Sequence, residues 1–345
     1  MPDLGDLPVP LDLATMEAKL VDEIPTEPGW RFEPKWDGFR CLAFRAGDEV
    51  ELKAKSGKPL GRYFPDVVAL LKSLPVDRFV VDGELVIAAG GELSFDALQS
   101  RLHPAESRVR KLAVETPASY VLFDCLMDGR RSLVDTPFTQ RRATLEALFA
   151  SFGPQPRLRL SPGTADPDKA ACWLAESGAG RDGVVAKRLD GPYAPGERAM
   201  LKIKRMRTLD CVVGGFRYAQ SSDQVGSLLL GLYDAAGRLN HVGYTSTILN
   251  AERAELTARL EALAPGLGFT GDAPGGPSRW SNERSAEWTP LRHELVVEVR
   301  YDHTTGGRFR HGTKLLRWRP DKAPAQCTCE QLESGAGAAL EALRT

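Results

Sequence analysis

Lysine is a poor nucleophile at neutral pH unless its surroundings favour loss of its proton and neutralise the charge that it attacks. One stretch of this chain gathers the residue types for that task, Glu33-Pro34-Lys35-Trp36-Asp37-Gly38-Phe39-Arg40. An Asp-Gly pair favours φ > 0 and a tight reversal, so Lys35 and Arg40 are expected to flank one turn and aim two cations at the same phosphate-bearing ligand. A surface hairpin with scattered charges accounts for the same residues, and the stretch alone leaves both readings open.

Further charged clusters follow. Val80-Val81-Asp82-Gly83-Glu84-Leu85-Val86 sets acids in an apolar run, with an Asp-Gly hairpin turn as the alternative. Phe123-Asp124 closes another such run, where core packing also explains Phe123. Arg181-Asp182-Gly183-Val184-Val185-Ala186-Lys187 repeats the carboxylate-glycine pair and adds a lysine. Leu201-Lys202-Ile203-Lys204 turns two lysines to one face of a strand, as a solvated edge strand also does. Arg317-Trp318-Arg319-Pro320-Asp321-Lys322 ends the segment from Arg308, which holds six Lys/Arg and one acid. It reads as a phosphate-contact patch or a solvated basic tail.

The elements that must carry these residues show in the hydrophobic pattern. Alternation from Trp30 to Ala54 predicts a hairpin beginning with Lys35, and Arg78 to Ile87 and Tyr120 to Leu126 read as short buried strands. One helix is expected after Thr139, with Leu145, Leu148 and Phe149 on one face. Another is expected between an Asp166-Pro167 start and a Gly178 stop. Beyond Lys204 the texture turns to strands at 211–216, 227–233, 239–244 and 293–301. A helix at 251–264 interrupts them, and a Gly/Pro-rich loop runs from Pro265 to Pro277. This pattern predicts a small Greek-key barrel of the OB type as a second domain.

Composition narrows the class. The 345 residues, 42% hydrophobic, suffice for two cores. Lys+Arg 45 against Asp+Glu 46 gives a formal charge of -1, so any nucleic-acid contact rests on local patches. Six scattered cysteines lack zinc-ligand spacing and fit reduced thiols in a cytosol. No signal peptide or membrane span is read, so the expectation is a cytoplasmic protein with no membrane partner. Five histidines, none in a metal-binding spacing, disfavour histidine-led catalysis.

The order of these motifs resembles the covalent nucleotidyltransferase superfamily, and within it the ATP-dependent DNA ligases of the bacterial ligase C type. The resemblance spans nearly the whole chain. The pattern Lys-x-Asp-Gly-x-Arg stands as Lys35, Asp37, Gly38 and Arg40, followed by Asp82-Gly83-Glu84, Phe123-Asp124, Asp182-Gly183, Lys202 with Lys204, and Arg319-x-Asp321-Lys322. It implies an α+β nucleotidyltransferase domain, with ATP-grasp-like antiparallel sheets and helices, over 1–206 and a C-terminal OB-fold β-barrel domain over 207–345. An mRNA-capping guanylyltransferase using GTP, or a non-catalytic DNA-binding relative, are the alternatives. Glu33-Pro34 and the Arg319-Pro320-Asp321-Lys322 ending favour the ligase.

The resemblance also implies roles. Lys35 takes AMP from ATP, Lys202 and Lys204 assist, and Glu84 and Asp182 meet Mg²⁺ or Mn²⁺. Phe123 stacks on adenine, Glu33 helps select it, Glu84 also holds ribose, Arg40 contacts ribose or phosphate, and Arg319 and Lys322 orient pyrophosphate. Lys55 and Arg198 are expected nucleotide contacts that depart from the family pattern. Lys55 replaces an arginine and its planar fork, and Arg198 lies closer to Lys202 than in many relatives. Asp182 stands where glutamate is commoner. Nicked duplex DNA is the implied partner, held by a two-domain clamp, since the segment before Lys35 is too short for a further encircling domain. A monomer acting near the bacterial nucleoid in DNA repair, aided by Ku or another end-holding protein, completes the expectation.

Overall fold

The computed structural model describes residues 3–176, 181–275 and 287–332. Gly178 and the end of the loop expected from Pro265 to Pro277 lie outside them. The chain forms two compact units that divide between Arg205 and Met206.

In the first unit the main strands are β1 (Ala18–Val21), β2 (Trp30–Trp36), β3 (Phe39–Ala46), β4 (Glu49–Ala54), β5 (Arg78–Val86), β6 (Ser119–Asp128), β7 (Leu158–Leu160), β8 (Arg181–Arg188) and β9 (Met200–Ile203). They build two sheets, in the orders β1-β9-β8-β2 and β7-β6-β5-β3-β4. Apart from the parallel pairs β1/β9 and β7/β6, the pairings in these orders are antiparallel.

The expected hairpin beginning with Lys35 is absent. β2 pairs with β8 in one sheet, whereas β3 pairs with β4 and β5 in the other, so Asp37-Gly38 carries the chain between sheets. Local turn rules describe a reversal, but here long-range pairing on both sides decides the path. The true hairpin is β3 with β4, around Gly47 at φ 60°.

β3 shows why its near-continuous apolar run forms a strand buried on both faces. Cys41 and Ala43 pack with Phe64 and with residues of the helices α1 (Pro65–Ser73), α2 (Phe95–Arg101) and α4 (Phe138–Ser151). Leu42, Phe44 and Ala46 pack on the opposite core, with Val9, Met16 and Tyr193. α3 (Glu106–Glu115) and α5 (Pro167–Ala175) complete the helices, and Asp166 caps α5 by accepting from the Asp168 N–H at 2.9 Å. On α4, Leu145 and Leu148 are buried as its pattern predicts.

The second unit holds β10 (Arg207–Tyr218), β11 (Val225–Tyr233), β12 (Leu239–Thr245), the helix α6 (Arg253–Glu261), β13 (Val296–Tyr301) and β14 (Lys314–Trp318). The sheet order is β12-β11-β10-β13-β14. A parallel bridge from Thr245 to Thr313, with the Thr245 hydroxyl donating to the Thr313 carbonyl at 2.9 Å, brings the two ends together. The expected OB-type barrel with one inserted helix is what forms, on these five main strands.

Candidate active site

Three glycines let the two sheets of the first unit bring their charged residues together. At Gly38 an added Cβ would lie 2.1 Å from the Leu85 carbonyl oxygen, so only glycine permits the crossing after Lys35. Gly83 lies within β5, not in a hairpin turn, and a Cβ there would meet the Val121 oxygen at 2.5 Å. Gly183 has φ +123°, and the β8/β2 register shifts between Arg181 and Val184. That bulge re-aims Asp182. Its Oδ2 accepts from Lys35 Nζ at 3.0 Å and pairs with Lys204 Nζ at 2.9 Å.

A bulge also presents Phe123. Opposite β5, Asp82 faces Asp124 and Gly83 faces Leu122, so Phe123 is the extra residue within β6 and does not end a strand. Asp124 is buried and holds Arg141 of α4 through two bonds of 2.8 and 3.1 Å.

Lys35, Phe123, Arg40, Glu33, Glu84, Lys55 and Lys202 line one cavity of about 920 Å³. Around Phe123 the walls are aromatic and cationic. Lys187 Nζ stands over the Phe123 ring at 4.6 Å from its centroid and the Arg40 guanidinium carbon at 5.3 Å, so the ring carries two cation–π contacts. Glu33, 2% exposed, pairs with Lys187 at 2.9 Å and Arg142 at 3.5 Å. Arg40 forks onto Asp82 at 3.1 and 2.7 Å, and the Tyr193 hydroxyl donates to the same carboxylate at 2.7 Å. The fork fixes the guanidinium plane beside the cavity.

The other group is cationic. Burial pulls the Lys202 ammonium below its ordinary pKa, and repulsion from Lys35, Lys204, Lys55 and Arg198 adds to this. Burial pushes the Asp182 carboxyl up, but Lys35 and Lys204 outweigh it and hold it below its ordinary value. Such a cluster suits a polyanion whose charge must be neutralised during transfer.

Glu84 behaves oppositely. Burial pushes its pKa up to about 8, against the pull of Lys35 and Arg40, while its Oε1 accepts from the Gly38 N–H at 3.2 Å. Below the ordinary value of 4.5 both folded and unfolded chains hold the proton. As pH rises the unfolded chain releases it first, so this contribution to stability falls from pH 4.5 until about 8 and then levels. Glu84→Gln should flatten that part of the Tm–pH curve. Thermal melts of both proteins at pH 5.5, 7 and 8.5 check this, and parallel curves refute it.

Among the described residues no three His, Cys, Asp or Glu side chains converge as a protein-only metal site. Glu84 and Asp182 nonetheless fit magnesium chemistry, in which one or two carboxylates act with substrate phosphates and water.

The remaining expectations divide. Lys55, its side chain 57% exposed, pairs with Glu17 at 3.1 Å at the cavity wall. Arg198 is exposed and is not among the lining residues, although its charge acts on Glu17 and Lys202. Arg319 and Lys322 belong to the second unit, where both bind Asp210. Sequence reasoning missed the parts played by Lys187, Arg142, Tyr193 and Glu17. Lys187 had a signal, since it follows Asp182-Gly183 on the same strand; the others sit in no motif.

The family described as ATP dependent DNA ligase domain matches residues 13–204, and the ATP dependent DNA ligase C terminal region matches residues 221–322. The chain is 45% identical over 340 residues to DNA ligase C1 of Mycolicibacterium smegmatis, covering 95% of this chain and 96% of that protein. It is 44% identical over 343 residues to DNA ligase C of Mycobacterium tuberculosis, covering 95% of each. A solved mycobacterial DNA ligase D complexed with ATP and MES is similar at 29% identity and a TM-score of 0.50, over 92% of this chain and 98% of that one.

Proposed function

This chain belongs to the ATP-dependent DNA ligases, and from that premise we propose that Lys35 carries AMP from ATP to the 5′-phosphate of a nicked DNA strand. The observation that carries the assignment is Lys35 at the wall of the 920 Å³ cavity, tied through Asp182 to Lys204 and accompanied by Phe123 and Lys202.

The cycle has three phosphoryl transfers. The Lys35 amine attacks the α-phosphorus of ATP, a P–N bond forms and pyrophosphate leaves. A nick 5′-phosphate oxygen then attacks the same phosphorus, releasing the lysine. Finally the adjacent 3′-hydroxyl attacks the 5′-phosphorus, closing the phosphodiester and expelling AMP. These steps need in-line positioning and charge neutralisation more than acid-base relays. Phe123 offers its face to adenine, Glu33 selects the base from its pairing with Lys187 and Arg142, and Arg40 meets ribose or phosphate. Lys202, Lys204 and Lys55 neutralise phosphate oxygens, with Arg198 reaching in from the surface.

Mg²⁺ or Mn²⁺, held by Glu84 and Asp182 together with phosphate oxygens, would supply further charge neutralisation. Glu84 would have to be deprotonated to serve as a ligand, so binding of such a metal near neutral pH would be coupled to loss of the Glu84 proton. Arg319 and Lys322 of the second unit, a domain beginning near residue 207, orient pyrophosphate in the first transfer.

We place the protein as a monomer in a reducing bacterial cytoplasm, near the nucleoid. None of the six cysteines forms a disulfide, and no helix among the described residues is long and apolar enough to cross a membrane. Its role is DNA repair, where Ku or another end-holding partner offsets a salt-sensitive grip that follows from a net charge of -1.

α-Labelled ATP should label the protein covalently and α-labelled GTP should not; label from GTP would favour the capping reaction. Nick sealing with 5′-labelled DNA, run against RNA-containing nicks and with Mg²⁺ or Mn²⁺, then reports strand and metal preference. Failure to seal a DNA nick with either metal would overturn the proposal.

A further inference from the structure

Asp210 lies on β10, and its carboxylate takes both cations of the C-terminal motif at once. Arg319 Nη1 donates to Asp210 Oδ1 at 2.9 Å and to Oδ2 at 3.0 Å, and Lys322 Nζ donates to Oδ2 at 2.7 Å. Asp321 holds the other edge of the guanidinium, from Nε at 2.9 Å and Nη2 at 2.8 Å. The backbone is tied as well. Arg319 N–H donates to the Val296 carbonyl at 2.8 Å, anchoring the segment on β13, and Lys322 N–H closes a turn onto the Arg319 carbonyl at 3.2 Å.

Two long cationic side chains on one short turn repel each other and sample many rotamers unless something restrains them. A carboxylate that is 13% exposed, beside an arginine and a lysine at 19% and 21%, restrains both in a partly dehydrated setting where charged hydrogen bonds are strong. The Asp321 bonds reach Arg319, whereas Lys322 is aimed by Asp210.

Resting on the reading that Arg319 and Lys322 orient the leaving pyrophosphate, we propose that Asp210 is the positioning residue that presents them to it as a pair. Asp210 itself touches no reacting atom. Its negative charge also repels a polyphosphate, so neutralising it has two separable effects: the aim of the cations loosens, while attraction for ATP does not weaken. The expected signature is therefore a fall in maximal rate without a rise in half-saturating ATP.

The test measures single-turnover self-adenylation against ATP concentration, and sealing of a pre-adenylated nick, for the wild-type protein, Asp210→Asn, Asp210→Glu and an Arg319→Ala/Lys322→Ala double variant. Asp210→Asn should lose about tenfold or more in maximal self-adenylation rate relative to its loss in sealing. Asp210→Glu should recover part of that loss, because charge is kept at a longer reach. A wild-type or faster rate for Asp210→Asn, beside a defective double variant, overturns the positioning role. Equal losses in both steps with a lowered Tm also overturn it, by making Asp210 structural. Should Asp210→Asn fail to fold, Asp210→Glu decides: a loss confined to the first step supports the role, and an even loss refutes it. A double variant that self-adenylates normally removes the pyrophosphate reading, and the Asp210 proposal falls with it.

Discussion

Lys35→Ala protein incubated with α-labelled ATP should acquire no covalent label, a loss of at least about 1,000-fold, or roughly 4 kcal/mol on the barrier. The neighbouring lysines are poor substitutes. Lys204 is drawn to Asp182 at 2.9 Å and Lys202 projects from another strand, whereas a displacement of about 1 Å from the in-line path already costs on the order of 100-fold. The fold should survive, because Lys35 is 25% exposed and Asp182 keeps its pair with Lys204 at 2.9 Å when Lys35 is removed. A Tm within a few degrees of wild type checks that point. Label on the wild-type protein should persist in alkali and be released by acid, as a P–N bond requires. Sealing of pre-adenylated nicks should fall less than self-adenylation, since no amine attack occurs in that step. Undiminished label on Lys35→Ala would remove Lys35 as the nucleophile.

What the sequence made legible was chemistry held in short spans. Lys35, Glu84, Phe123, Asp182 and the lysines at 202 and 204 could be picked out because each sits in a local pattern whose order along the chain is itself informative. The barrel of the second unit was legible too, through strand alternation broken by one helix. Pairing was not. Asp37-Gly38 has the composition of a hairpin turn, yet the strands on either side pair with β8 and β5, and those distant partners override the local preference. The Phe123 and Asp182 bulges were hidden for the same reason, because a bulge is a mismatch between two strands and neither sequence alone contains it. Glu33 read as a base-selecting carboxylate, but what holds it comes from Arg142 and Lys187, more than a hundred residues away. Asp210 was invisible at the level of motifs, being one acid in a strand whose meaning depends on Arg319 and Lys322.

Asp182→Ala should slow self-adenylation by about 100-fold or more, close to 2.7 kcal/mol, without touching the nucleophile. A single oxygen of Asp182 receives both Lys35 and Lys204, so it fixes the position of the attacking amine relative to a phosphate-neutralising cation. Without it Lys35, Lys202 and Lys204 keep like charge at close range, and repulsion drives them apart before ATP arrives. Substitutions separate charge from reach. Asp182→Asn keeps an oxygen acceptor but no charge, and should lie nearer to Ala than to wild type; Asp182→Glu keeps the charge on a longer arm and should lose less than about tenfold. Salt adds an independent readout, because the Debye length shrinks from about 10 Å at 0.1 M to about 3 Å at 1 M. The Ala variant should melt below wild type in low salt and regain part of that difference as salt rises, while its rate stays low because screening does not restore aim. If Asp182→Glu proves as inactive as Asp182→Ala, geometry outweighs charge at this position. If Asp182→Ala self-adenylates at the wild-type rate, the shared carboxylate plays no part in presenting Lys35.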